Sequence, residues 1–122
     1  MLAAGCGGSK KHEPTIDGIR SCLSDAGFVI RGEGHPGAGD ALAVRTPEKQ
    51  NFAYGVAALF DDAHAAATYR DRFVNVLERP PRNPDADYLK TLVRARGRVV
   101  YGWTTKPATA DIRTLERCTQ AR

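Results

Sequence analysis

Apolar residues recur at intervals of three and four over residues 14–26, where Ile16, Ile19, Leu23 and Ala26 line one side of a helix. Gly27 follows where a left-handed cap belongs, and Phe28 is placed to fold back on Leu23. A short strand over 28–31 comes next, then a loop over 32–40 rich in glycine and proline, a strand over 41–45 and a turn over 46–50. The clearest period of two lies in 51–60. There Phe52, Tyr54, Val56, Ala58 and Phe60 share one face of a strand, and the smaller Ala53, Gly55 and Ala57 share the other.

Asp61 or Asp62 then caps a second helix, in which Ala66, Tyr69, Phe73 and Val76 recur every three to four residues until Arg79-Pro80-Pro81 stops it. The proline-rich segment to Asp87 reads as an exposed loop. From Tyr88 alternation resumes, with Leu89, Thr91, Val93 and Ala95 on one face and Lys90, Leu92, Arg94 and Arg96 on the other. A hairpin turn at Arg96-Gly97 returns the chain through 99–103, and Lys106-Pro107 opens a last helix with Ile112, Leu115 and Cys118 inward. The order α-β-β-β-α-β-β-α predicts one α+β domain, a mostly antiparallel sheet with helices packed on one face.

Composition fits that picture. A chain of 122 residues, 42% hydrophobic and 26% charged, is the size of a single globular domain. No apolar run approaches the ~18 residues that a membrane-spanning helix needs.

The N-terminus changes where that domain is expected to work. Leu2-Ala3-Ala4-Gly5-Cys6 resembles a bacterial lipobox, and in this the chain is similar to the small lipoproteins of the bacterial cell envelope. The resemblance covers residues 2–13 together with the Cys22/Cys118 pair, and it names no activity. It implies that Cys6 becomes the first residue and carries several acyl chains, palmitate among them, enough for stable anchoring to the outer face of the plasma membrane. Gly7-Gly8-Ser9-Lys10-Lys11-His12-Glu13 has the composition of a flexible tether. Residues 1–13 therefore divide off as lipobox and tether from a domain over 14–122. Export also requires a basic start and an apolar stretch of about 7–15 residues, and Met1 lies only five residues before Cys6. The expectation is a start placed too late, with the signal encoded upstream; the alternative is a cytoplasmic protein.

Lipidation of Cys6 would leave Cys22 and Cys118 as the remaining pair of the three cysteines, each bordering the apolar stripe of its helix. A bridge between them closes a loop of about 97 residues, which the chain-entropy model credits with roughly 4–5 kcal/mol. The alternative is two reduced, buried cysteines acting as small apolar residues.

Catalytic signatures are missing by context. Gly32-Glu33-Gly34-His35-Pro36-Gly37 has the spacing of a dinucleotide fingerprint, but those glycines must open a helix, and a strand follows here. Asp61 and Asp62 serve as helix caps. His12, His35 and His64 lack an identifiable carboxylate partner, and Ser21 and Ser24 lack a base. No catalytic residue, metal site or cofactor is expected.

Lys90, Arg94, Arg96 and Arg98 are the local concentration of charge, at period two on a hairpin, in a chain of net charge +4. Read functionally they form an anion-binding surface; read structurally they are a solvated face that blunts a sheet edge. The expected function is that of a membrane-anchored, non-catalytic binding or scaffold module meeting an envelope protein or anionic polymer. The alternative is a cytoplasmic nucleic-acid-binding domain using the same basic hairpin.

Overall fold

In the computed structural model, which describes residues 14–37, 39–47 and 52–120, Thr15 starts the first helix by accepting a hydrogen bond from the Gly18 amide at 3.0 Å. Helix α1 (Ile16–Asp25) buries Ile19 and Leu23. It ends as the sequence predicts. Gly27 sits at φ +91°, its amide donates to the Ser24 carbonyl at 3.0 Å, and the Phe28 amide donates to the Leu23 carbonyl at 2.9 Å. A residue other than glycine would be strained there.

Strand β1 (Val29–Gly34) pairs with β2 (Gly39–Arg45), and β2 with β3 (Tyr54–Phe60). Both β1 and β2 are longer than predicted. Gly32 and Gly34 belong to the ladder, paired with Ala43 and Ala41, and a bulge falls at Arg31. At the foot of the β2–β3 connection, buried Thr46 exchanges hydrogen bonds with Ala53 through its amide and hydroxyl, both at 2.9 Å. Cys6, the tether, His12 and residues 48–50 of the predicted turn lie outside the described residues.

Asp62 caps α2 (Ala63–Glu78), its carboxylate accepting from the Ala65 amide at 2.8 Å. The chain then forms α3 (Ala86–Lys90), the hairpin of β4 (Arg94–Arg96) and β5 (Val99–Trp103), and α4 (Thr109–Cys118). All five strands are antiparallel, in the order β1-β2-β3-β5-β4. The α+β class and antiparallel sheet are those predicted from the pattern.

Three details differ from expectation. Residues 86–90 are helical instead of beginning a strand. Asn83 builds that helix, its side chain accepting from the Asp85 amide at 2.9 Å and donating to the Thr104 carbonyl at 2.9 Å, while Ala86 and Leu89 bury one side of the turn. Val76 is 54% exposed and Leu77 is buried in its place, because a helix of 3.6 residues per turn carries the stripe from Phe73 to 77. Finally, the helices divide between the two faces. Glu116 of α4 reaches Tyr101, and Trp103 of the same β5 row contacts Phe28 at 6.4 Å between ring centroids. On the opposite face Tyr69 of α2 stacks on Phe60 at 5.1 Å, and Phe73 lies against Gly102.

The physical reason is that β3 and β5 are apolar on both sides. Gly55, Ala57 and Leu59 of β3 are buried toward α1 and α4, Ala58 and Phe60 toward α2, and all of β5 is buried. A strand buried on both sides reads as a near-continuous apolar run and needs a layer above and below. Glycines let the aromatics in: Trp103 covers Gly55 on one face, and Phe73 covers Gly102 on the other. Helices α1 and α4 are joined by the Cys22–Cys118 disulfide, with Cα atoms 5.5 Å apart.

A methyl group at position 55 would stand 2.8 Å from the Gly102 carbonyl oxygen and 3.0 Å from the Trp103 ring. Gly55→Ala is therefore expected to destabilise the domain by about 1–3 kcal/mol, through displacement of the central strand pair. Urea unfolding of the variant beside the parent, at unchanged m-value, checks this.

Candidate functional site

The four basic residues expected to share one face of a hairpin are dispersed. Lys90 ends α3 and its ammonium pairs with Glu78 of α2. Arg94 turns back on its own chain, donating to the Thr91 carbonyl at 2.6 Å. Arg96 lies 3.5 Å from Glu116 of α4, on the other side of the sheet from Glu78. Arg98, in the β4–β5 turn beside Gly97, donates through Nε to the Phe60 carbonyl at 2.9 Å. Alternation along residues 88–96 suggests one row, but the helical turn at 86–90 rotates Lys90 out of it.

Each of two carboxylates organises its side. Glu78 accepts from Arg82 Nε at 2.7 Å as well as from Lys90, and those two bonds, Arg82's first, hold it down at about 2. Glu116 accepts from the Tyr101 hydroxyl at 3.1 Å; burial, and then this bond, push Tyr101 up to about 12.

A different surface gathers what a binding site needs. Helix α2 lies over β3, β5 and β4, so among the described residues no helix covers the same face of β1 and the outer part of β2. Its floor is small: Gly32, Gly34, Ala41 and Ala43, with Val56 and Tyr69 along the α2 side of a shallow trough of about 300 Å³. At one end, Val29, Arg45 and Tyr54 form a single row across the three strands. The Arg45 guanidinium stacks on Phe52 at 3.9 Å from the ring centroid, and that of Arg31, at the bulge, lies 5.1 Å from the Tyr54 centroid. Val29 and Phe52 are 40% and 44% exposed, two of the four large apolar residues so open among the described residues. Neither arginine has a carboxylate partner among the described residues. Cationic, aromatic and apolar groups without an internal acid suit recognition of an anionic partner.

A smaller cleft of about 120 Å³ lies at the β1–β2 turn, lined by Arg20, Glu33, His35 and Asp40 among others. His35 Nδ1 is 2.6 Å from Asp40 Oδ1, which corrects the expectation that this histidine has no carboxylate partner. The pairing depends on β2 starting at Gly39, so that Asp40 stands across the turn from His35. Arg20 bridges Asp17 and Glu33, the latter at 3.0 Å, and its Nε is buried without a hydrogen-bond partner. The lining holds no hydroxyl or thiol nucleophile, and the imidazole is 76% exposed. Among the described residues no group of three His, Cys, Asp or Glu side chains could hold a metal ion. The glycines of the dinucleotide-like spacing run along β1 and through the Gly37 turn into β2, so no helix opens on them.

Arg31, Arg45, Phe52 and Tyr54 escaped the sequence reading. Alternation groups Phe52 and Tyr54 with Val56, Ala58 and Phe60 on one face of the strand, but which part of that face stays open depends on the span of α2. Comparison with protein-family models, with curated proteins and with solved structures gives no match.

The Glu78 carboxyl lies below its ordinary value near 4.5, so its contribution to stability is present above that pH and is lost as pH falls toward about 2. Glu78→Gln is expected to flatten the acid arm of a plot of Tm against pH in that window. A variant whose acid arm matches the parent would dissociate Glu78 from the effect.

Proposed function

We infer that this protein is a lipid-anchored, extracytoplasmic binding domain without catalytic chemistry, and that it meets an acidic envelope partner through the Arg31/Arg45 corner of its sheet. The observation carrying this reading is the Cys22–Cys118 bridge between first and last helices. Such bonds persist in oxidising compartments and are rare where thioredoxin and glutathione keep thiols reduced. With those two cysteines paired, Cys6 is the odd thiol, and it stands in the lipobox-like segment. Two further features agree with this reading. Among the described residues no helix is long and apolar enough to cross a membrane, which leaves acyl chains as the anchor the sequence supports. The open corner presents arginines stacked on an exposed Phe52 and a half-buried Tyr54, and arginine and aromatic residues are enriched in protein interfaces.

Expression from the native locus, followed by intact-mass spectrometry, should find Cys6 as the N-terminal residue carrying diacylglycerol and acyl mass. A chain retaining Met1 with a free thiol at residue 6 would overturn the anchor. For the corner, Arg31→Glu/Arg45→Glu is expected to lower retention on immobilised polyglutamate by about tenfold with the domain still folded by circular dichroism, since each exposed charge pair is worth up to about 1 kcal/mol and both are lost. Retention equal to the parent's would remove this corner from the reading.

A further inference from the structure

We propose that the end of the domain from which the tether leaves docks on an anionic phospholipid surface, with Arg96, Arg98 and Arg117 turned to the headgroups. The proposal rests on the reading of Cys6 as the lipidated residue. Pro14, the first described residue, lines two grooves. One, of about 250 Å³, runs over α1 and α4 beside Arg117; the other, of about 310 Å³, meets the β4–β5 turn at Arg96, Gly97 and Arg98. Three arginines from two distant parts of the sequence thus surround the point where the chain continues toward Cys6.

The tether is short. Cys6 and Pro14 are eight residues apart, a span of at most about 28 Å when fully extended. As a flexible coil the same length averages about 16 Å, roughly two Debye lengths at physiological salt. At that mean distance the surface field is largely screened, so an anchor at Cys6 would act by letting this end of the domain reach the bilayer, where each basic side chain within a Debye length adds to attraction by anionic lipid. Acidic groups stand at this end too: Glu116 is engaged by Tyr101 and Arg96, and Asp40 and Asp61 share a groove with Arg98, whereas Arg117 has no carboxylate partner among the described residues.

A bilayer fits this end better than a soluble polyanion, because the anchor already delivers the surface at high effective concentration, and weak contacts then suffice to orient the domain. Orientation is the useful product. Val99, beside Pro14, pairs with Leu59, whereas Arg45 pairs with Tyr54 at the other end of β3. Five residues of strand separate the two ends by about 17 Å. Docking by the tether end leaves the Arg31/Arg45 corner facing away from the membrane.

The test uses the full chain carrying Cys6→Ser, so that no acyl group contributes, in co-sedimentation with vesicles of phosphatidylcholine alone and with phosphatidylglycerol added. At low salt the mixed vesicles should carry down at least about tenfold more protein than the neutral ones, and added salt should abolish the difference. Arg96→Glu/Arg117→Glu should bring binding to the neutral-vesicle level, while Arg31→Glu/Arg45→Glu should leave it as it was. Because Arg96 touches Glu116, Arg117→Gln serves as a second variant, expected to bind several-fold more weakly with an unchanged circular dichroism melt. Equal binding to both kinds of vesicle, or loss on reversing Arg31 and Arg45 only, overturns the docking surface. The mass of residue 6 reports separately on the anchor, so either idea can fail without the other.

Discussion

Two neighbouring strands with no polar side are the constraint from which the rest of this architecture follows. β3 and β5 offer Ala57, Leu59, Val99, Tyr101 and Trp103 to one layer and Ala58, Phe60 and Val100 to the other. Leaving either side in water would forgo about 25 cal/mol for each Å² of apolar surface, and the ring systems dominate that area. Helices must therefore cover both sides. Aromatic residues can come close on both only because Gly55 and Gly102 stand where larger side chains would hold the layers apart. α1 packs over β1, β2 and β3 while α4 reaches β5 through Glu116 and Tyr101, so the two helices meet on one side, and their neighbouring cysteines are near enough to bond.

The same constraint explains where the sheet stays open. Among the described residues α2, with α3 packed against it, fills the second layer, and α2 follows the central pair and the short β4. β1 and the outer part of β2 have only small residues on that side, so they present little apolar area to recruit further cover. Val29 and Phe52 at the margin are the exception, and the guanidinium groups of Arg45 and Arg31 lie across the aromatic rings beside them. The domain thus has a sealed half and an open half, with its arginine–aromatic stacks at one end of the open half and its tether at the opposite end of the strands.

The sequence carried the parts of the fold that depend on local pattern. The α1 stripe with its Gly27 cap, the Asp62 cap of α2 and the alternation along 54–60 each report backbone geometry directly. Residues 86–96 misled because one turn of helix followed by three residues of strand can imitate a period of two, and the deciding signal was Asn83, several residues upstream. The two-sided layering was present in the absence of polar residues from 56–60 and 99–103, but alternation of large with small along 51–60 suggested a single packed face. The His35–Asp40 pairing and the open corner depend on strand register and on the path of α2, which are long-range facts that no local window contains.

Pro14 and Gln120 line the same grooves, and only a few residues separate each of them from a bridged cysteine. Mechanical load entering along the N-terminal tail therefore passes into α1 and meets a covalent ring within three turns of helix. If the pull is resisted at the C-terminal end, tension crosses through sulfur from one helix to the other and bypasses the hydrogen-bonded ladder. Every strand lies inside the ring. Stretching between the two tails would straighten a handful of terminal residues and then stop, leaving the sheet unloaded.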